Sequence, residues 1–182
     1  MRHRLTFAIA VVLAGAPAGA QTKATPGAQG PIGKALQSSW DAAKNNIVQS
    51  AEVMPEQNYG FRPVDSVRTY GQILAHVAGA NHIFCAAAKG TKPTVSEDQF
   101  EKTATTRAAI VKALADSMAY CDSVFVGLTD AQLGDTIDLP FNEGKGARSA
   151  AILGNIGHLN EHYGNLVTYM REKGIVPPSS RR

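Results

Sequence analysis

Between Ser149 and Lys173 the apolar residues Ile152, Ile156, Leu159, Tyr163, Leu166 and Met170 recur at steps of three and four. That spacing puts them on one face of an α-helix, and Gly174 with Pro177 and Pro178 beyond it supplies the stop. A helix this long cannot bury its stripe alone, so it needs partners of similar length. Three earlier segments offer them. Ile32, Leu36, Trp40, Ala43, Ile47 and Val48, continuing to Val53 and Met54, form the first stripe. Tyr70, Ile73, Leu74, Val77, Phe84 and Ala88 form the second, with Asp65 or Ser66 as the expected N-cap and Gly90 as the stop. The third starts at about Asp98 or Thr105 and runs through Ile110, Leu114, Met118 and Cys121 to Val126 before Gly127.

The connections are rich in proline, glycine and polar residues. Met54–Pro63 carries aromatic side chains and reads as a loop that packs down, and Leu128–Leu133 reads as a short turn capped by Thr129 or Asp130. Ile137, Asp138 and Leu139 alternate in polarity but are too few to count as a sheet. The expectation is therefore all-α: a four-helix bundle over residues 32–174 of the 182, followed by a tail at 175–182. Gly154, Gly157 and Gly164 inside the last helix, with Gly71, Ala75 and Gly79 on the second, suggest a close backbone approach between those two helices.

The N-terminus has the three-part form of an export signal. Arg2, His3 and Arg4 precede an apolar run from Leu5 to Leu13, and Ala18-Gly19-Ala20 gives a small-residue cleavage site, so residues 1–20 read as a secretory leader and 21–31 as a flexible tether. The apolar run is shorter than the ~20 residues of a membrane span. The expected location is periplasmic or secreted, with no stable membrane span after cleavage. Two of the 18 basic residues, Arg2 and Arg4, fall in the leader, leaving 16 against 15 acidic ones. So even a balance speaks against a nucleic-acid partner. Cys85 and Cys121 are the two cysteines. An oxidising compartment favours a disulfide between them over two buried free thiols.

The chemistry lies in the histidines. His158 and His162 are four residues apart, one above the other on a helix face, where two imidazoles can share an ion. The third ligand must come from elsewhere, and His3 leaves with the leader. His76 and His82 are six residues apart, which at ~100° per residue turns them about 120° from each other, so one at most can join. His76 lies on the shoulder of the second stripe beside Ala80, Ile83 and Ala87, while His82 lies on the opposite shoulder and reads as a partly exposed or locally bonded residue. Three imidazoles suit zinc, nickel or iron and leave a position for water, the mark of a catalytic site. Asn155, one turn earlier, is either a neighbour that orients the ligands or a surface amide. Glu161 points ~100° away from either histidine and reads as a solvated charge.

The stretches Val67–Ala78 and His158–Arg171, with His76 in the first and His158 and His162 in the second, resemble the DinB-like superfamily of helix-bundle metalloproteins. The resemblance implies a four-helix bundle with a crossover connection and one divalent metal ion held by His76, His158 and His162. It also implies homodimerisation through a bundle face. Asn165 stands where family members often carry glutamine. Export sets this chain apart from cytosolic thiol-transferase relatives, which use thiols such as bacillithiol or mycothiol. Three readings follow: a metal-dependent enzyme, most simply a hydrolase but with a transferase as the family's other option; a metal-binding protein without turnover; and a structural module whose histidines merely pack. The substrate is a small molecule that no motif describes.

Overall fold

The computed structural model describes residues 29–181. The leader at 1–20, with His3, and the tether as far as residue 28 lie outside the described residues. Four long helices carry the fold: α1 (Pro31–Val53), α2 (Tyr70–Lys89), α4 (Arg107–Phe125) and α6 (Arg148–Glu172), with short α3 (Gln99–Thr103) and α5 (Asp130–Leu133) in the connections. α2 packs along α4 and α6, and α1 closes the ring against the same two helices. α1 and α2, consecutive in the chain, thus occupy opposite corners. Residues 54–69 form the crossover.

Each boundary has a local cause. Pro31 opens α1, where its missing N–H and fixed φ cost nothing. The start of α2 differs from expectation: its N-cap is Thr69, three residues beyond Ser66. Thr69 Oγ1 accepts from Gln72 N while Gln72 Oε1 accepts from Thr69 N, a reciprocal pair that Asp65 and Ser66 cannot make at their spacing. Asp65 instead pairs with Arg62 in the preceding turn. At the other end Gly90 adopts φ 79°, a left-handed conformation cheap only for glycine. The expected third helix is divided at Ala104–Thr106, where Thr106 caps α4 by accepting from Ala109 N. Thr129 caps α5. Asp130 serves a distant helix: its carboxylate accepts from Gly33 N at 2.8 Å and Ile32 N at 3.3 Å, capping α1, whose own N-cap is a glycine.

A small hairpin was not expected. β1 (Thr136–Asp138) and β2 (Lys145–Ala147) pair antiparallel with Ile137 opposite Gly146. Three residues a side cannot hold a hairpin in water. This one lasts because Ile137 is buried against the helical core.

The core runs the length of the bundle. Trp40 is fully buried, stacks edge-on against Phe125 and donates Nε1–H to Asp122 Oδ1 at 2.7 Å, while Lys44 binds the same carboxylate. Tyr59 and Tyr70 donate their hydroxyls to the carbonyls of Ala51 and Ser50, tying the crossover and α2 to the end of α1. Cys85 and Cys121 form a disulfide between α2 and α4, fully buried, with their Cα atoms 5.4 Å apart. Beyond α6, Tyr163 and Ser179 exchange two hydrogen bonds that hold the last residues against the bundle.

The expected glycine seam between α2 and α6 does not form. A Cβ at Gly157 or Gly164 would meet nothing within 4 Å, and one at Gly154 would meet the ring of Phe84, not a backbone. Among the described residues no helix is long and apolar enough to cross a membrane.

Replacing both Cys85 and Cys121 with alanine should lower stability by roughly 2–4 kcal/mol, the range for such a crosslink. Thermal unfolding of the variant measures it, and thiol titration of the denatured, unreduced wild type should find no free thiol.

Candidate metal centre

His76, 5% exposed, points from the middle of α2 toward α6, and His158 and His162 point back from successive turns of α6. The three meet. His158 Nε2 lies 3.1 Å from His76 Nε2 and 3.1 Å from His162 Nε2, and one ring nitrogen of each histidine lies within 4.8 Å of the other two. Donors bound at ~2.0–2.1 Å to one first-row ion stand roughly 3.0–3.4 Å apart. The set has the spacing of a ligand set.

Burial keeps these rings neutral. Desolvation first, then the neighbouring histidines and the Arg68 charge, push His158 down to about 3; desolvation, His76 and Arg68 push His162 down to about 4. His76 is lowered for the same first reason, against the opposing pull of Glu97 and Glu101. Neutral imidazoles have lone pairs ready for a cation without first losing a proton.

The surroundings decide which nitrogen carries the hydrogen. His76 Nδ1 lies 3.2 Å from Glu101 Oε1, close enough to attract although the N–H does not point straight at the oxygen. Glu101 is itself held by Arg68 Nε at 3.0 Å. A carboxylate at Nδ1 favours hydrogen there and leaves the Nε2 lone pair facing the centre. Asn165 Nδ2 lies 3.4 Å from His162 Nδ1, and turning the amide by 180° puts its oxygen there, which likewise favours hydrogen on Nδ1. His158 Nδ1 is buried with no partner. The single hydrogen His158 could offer at Nε2 would satisfy at most one of the two lone pairs facing it, whereas one cation satisfies all three. The residues fit a metal ion.

A second carboxylate stands on the ligand side of His76: Glu97 Oε1 is 3.6 Å from Nε2. Gly79 makes this possible. A Cβ there would lie 2.0 Å from the Glu97 carbonyl oxygen, so the bare glycine lets residues 91–98 settle onto α2 one turn beyond His76. Sequence reasoning missed Glu97, Glu101 and Arg68. An acidic pair four residues apart was the only signal, and nothing in it points to α2.

The other candidates lie elsewhere. His82 stacks between Tyr120 and Phe100, away from the centre. Asn155 is neither a ligand neighbour nor a surface amide. It is fully buried and donates to the sulfurs of Cys85 and Cys121 at 3.5 and 3.7 Å, because its place on α6 faces the core. Glu161 is exposed at the rim of a pocket of about 610 Å³ that also includes Arg68, His162 and Asn165.

A family model described as DinB superfamily matches residues 39–166. The uncharacterized protein YjoA of Bacillus subtilis (strain 168) is 24% identical over 132 residues, covering 72% of this chain and 84% of YjoA. Its crystal structure superposes with a TM-score of 0.61 at 22% identity, over 81% of this chain and 99% of that one. A DinB-like protein from Bacillus cereus ATCC 10987 gives 0.62 at 18% identity, over 80% and 95%. A variant of the mycothiol-dependent maleylpyruvate isomerase gives 0.63 at 12% identity, over 74% of this chain and 60% of that one. At these identities the structural likenesses establish the fold.

Two outcomes follow from the geometry. In metal-free protein the unfolded chain takes up protons below about pH 6.5 that folded His158 and His162 refuse. Stability is therefore full above that pH and falls as pH drops toward 4, by roughly 3–4 kcal/mol at pH 5 for the two residues together. Urea unfolding at pH 7 and 5 measures the loss, which should shrink when both histidines are replaced with alanine. Gly79→Ala should cost roughly 1–3 kcal/mol through overpacking against Glu97, read by the same method.

Proposed function

This chain belongs to the DinB superfamily, and we propose that it is an exported metalloprotein in which His76, His158 and His162 hold one divalent ion, zinc, nickel or iron, to carry out a hydrolytic reaction. One observation carries the reading: three neutral imidazoles from two helices bring their ring nitrogens together, His158 Nε2 lying 3.1 Å from both His76 Nε2 and His162 Nε2 and all three within 4.8 Å of one another. Packing alone gives no reason to bury three mutually facing lone pairs.

When bound, a divalent ion with three protein ligands supplies Lewis acidity, polarising a carbonyl or phosphoryl oxygen and lowering the pKa of water toward ~7. The protein's part is orientation and proton handling. Glu101, braced by Arg68, draws the hydrogen of His76 to Nδ1. Glu97 Oε1, beside the ligand nitrogen of His76 and 40% exposed, is in position to take a proton from a nucleophile entering from the solvent side. Phe84, whose ring centroid is 5.7 Å from that of His158, closes the other flank and keeps water from it.

Export rests on the leader sequence and gains support from the Cys85–Cys121 disulfide, a bond that persists outside the reducing cytosol. One structural neighbour is described as mycothiol-dependent. A chain acting outside the cytoplasm would meet little of any such thiol, which favours hydrolysis over thiol transfer.

Protein purified without a histidine tag should carry one ion per chain by elemental analysis, and His158→Ala should lose it. Glu101→Gln should weaken metal binding roughly 10- to 100-fold with the thermal midpoint of the chelator-stripped protein nearly unchanged. Metal content unaffected by His158→Ala overturns the reading. Turnover of ester, phosphoester or amide substrates abolished by chelation supports catalysis; a metal-loaded protein inert toward all three favours metal binding without turnover.

A further inference from the structure

We propose that the pocket beside the histidine centre recognises a small carboxylic acid, and that Arg68 is the residue that grips its carboxylate. The inference deepens the metal-dependent reading by naming the substrate class, and it rests on that reading for the chemistry but not for the grip.

Arg68 is unusually well fixed for an arginine at a pocket wall. It precedes the N-cap of α2, and its own carbonyl accepts the Tyr169 hydroxyl at 2.9 Å, so its backbone is pinned to α6. Nε donates to Glu101 Oε2 at 3.0 Å. The two terminal nitrogens have no hydrogen-bond partner among the described residues, and the side chain is 45% exposed. One side of the guanidinium is therefore spent on holding the group still. The other offers parallel N–H donors in a plane, the fork that matches two carboxylate oxygens.

The pocket fits such a ligand in size and lining. At about 610 Å³ it is in the range of small-molecule sites. Val67, Ile73 and Tyr169 provide apolar wall, and His162 belongs to both the pocket and the triad. An acid gripped by Arg68 would lay its body on that wall and carry a bond a few atoms from its carboxylate toward the histidines.

Two features narrow the anion. The first N–H groups of α2 are already used, by Phe61 and Tyr59 carbonyls and by Thr69 Oγ1, so the helix end does not compete as a general phosphate cradle. Glu161 lines the same pocket, so a singly charged carboxylate is accommodated at less electrostatic cost than a phosphate dianion.

The test is calorimetric titration of the full chain, metal-loaded and chelator-stripped, with butyrate, its neutral analogue butyramide, and methyl phosphate. Butyrate should bind both forms and butyramide neither. Arg68→Met should weaken butyrate roughly 10- to 100-fold, the loss of a charge-assisted pair, and Arg68→Lys should recover part of it. Glu101→Gln, which frees Arg68 but keeps its charge, should retain binding. The proposal is overturned if butyrate binds only the metal-loaded form, if Arg68→Met leaves it unchanged, if methyl phosphate binds more tightly, or if Glu101→Gln abolishes binding as fully as Arg68→Met. Metal content of the same samples reports separately on the histidine centre.

Discussion

The contact between α2 and α6 is the constraint on which the rest depends. His76 is borne by one helix and His158 and His162 by the other, so a shift of either helix by one residue would turn a ring by ~100° out of the common point. The packing that prevents this is indirect. α2 is clamped on its far side by the disulfide to α4, and Asn155 of α6 donates to both sulfurs of that bond. The three helices are thus joined at one buried locus. Tyr70, at the start of α2, is bonded to the end of α1.

Burying polar groups beside such a core is costly unless each has a partner. The histidines meet this cost unevenly. Neither His76 Nδ1 nor His158 Nδ1 has a hydrogen-bond partner, but His76 has the Glu101 carboxylate 3.2 Å away, itself held by Arg68; His162 has Asn165, and beside His158 stands the Phe84 ring. The polar side of the centre faces the pocket holding Arg68, and its apolar side faces Phe84 and the hairpin loop, where Phe141 stacks edge-on against Phe84. Phe141 does so at φ 57°, a conformation that costs a bulky residue roughly 1–2 kcal/mol. One loop thus takes on strain beside the histidine whose Nδ1 lacks a polar neighbour.

Much of the bundle was legible because helical periodicity is a local property. The stripes through Trp40, Leu74, Leu114 and Leu159 became core except at two ends, where Ile32 and Val126 are exposed, and Gly90 and Gly174 both took positive φ at helix ends. The i,i+4 pair at 158 and 162 was equally local. Misreadings arose where a residue's role is set by something far away in the chain. Asp130 looked like a cap for the turn it begins, but it caps α1. Asn155 looked superficial on helix α6, but it faces a disulfide between two other helices. Gly79 looked like half of a helix–helix seam, but what approaches it is the backbone of Glu97.

The sequence by itself determined which segments are helical, where most of them stop and which side of each is apolar, because those properties follow from the spacing of neighbours along one chain. It also singled out His158 and His162, since a turn of helix carries one to the other. Only the tertiary structure decided that Arg68, Glu97 and Glu101 gather around His76. Arg68 and Glu101 are 33 residues apart, and no periodicity links the carboxylates of a connecting segment to a helix that it reaches by folding back. Hydrogen position on an imidazole depends on what touches the other nitrogen, and that is a property of packing.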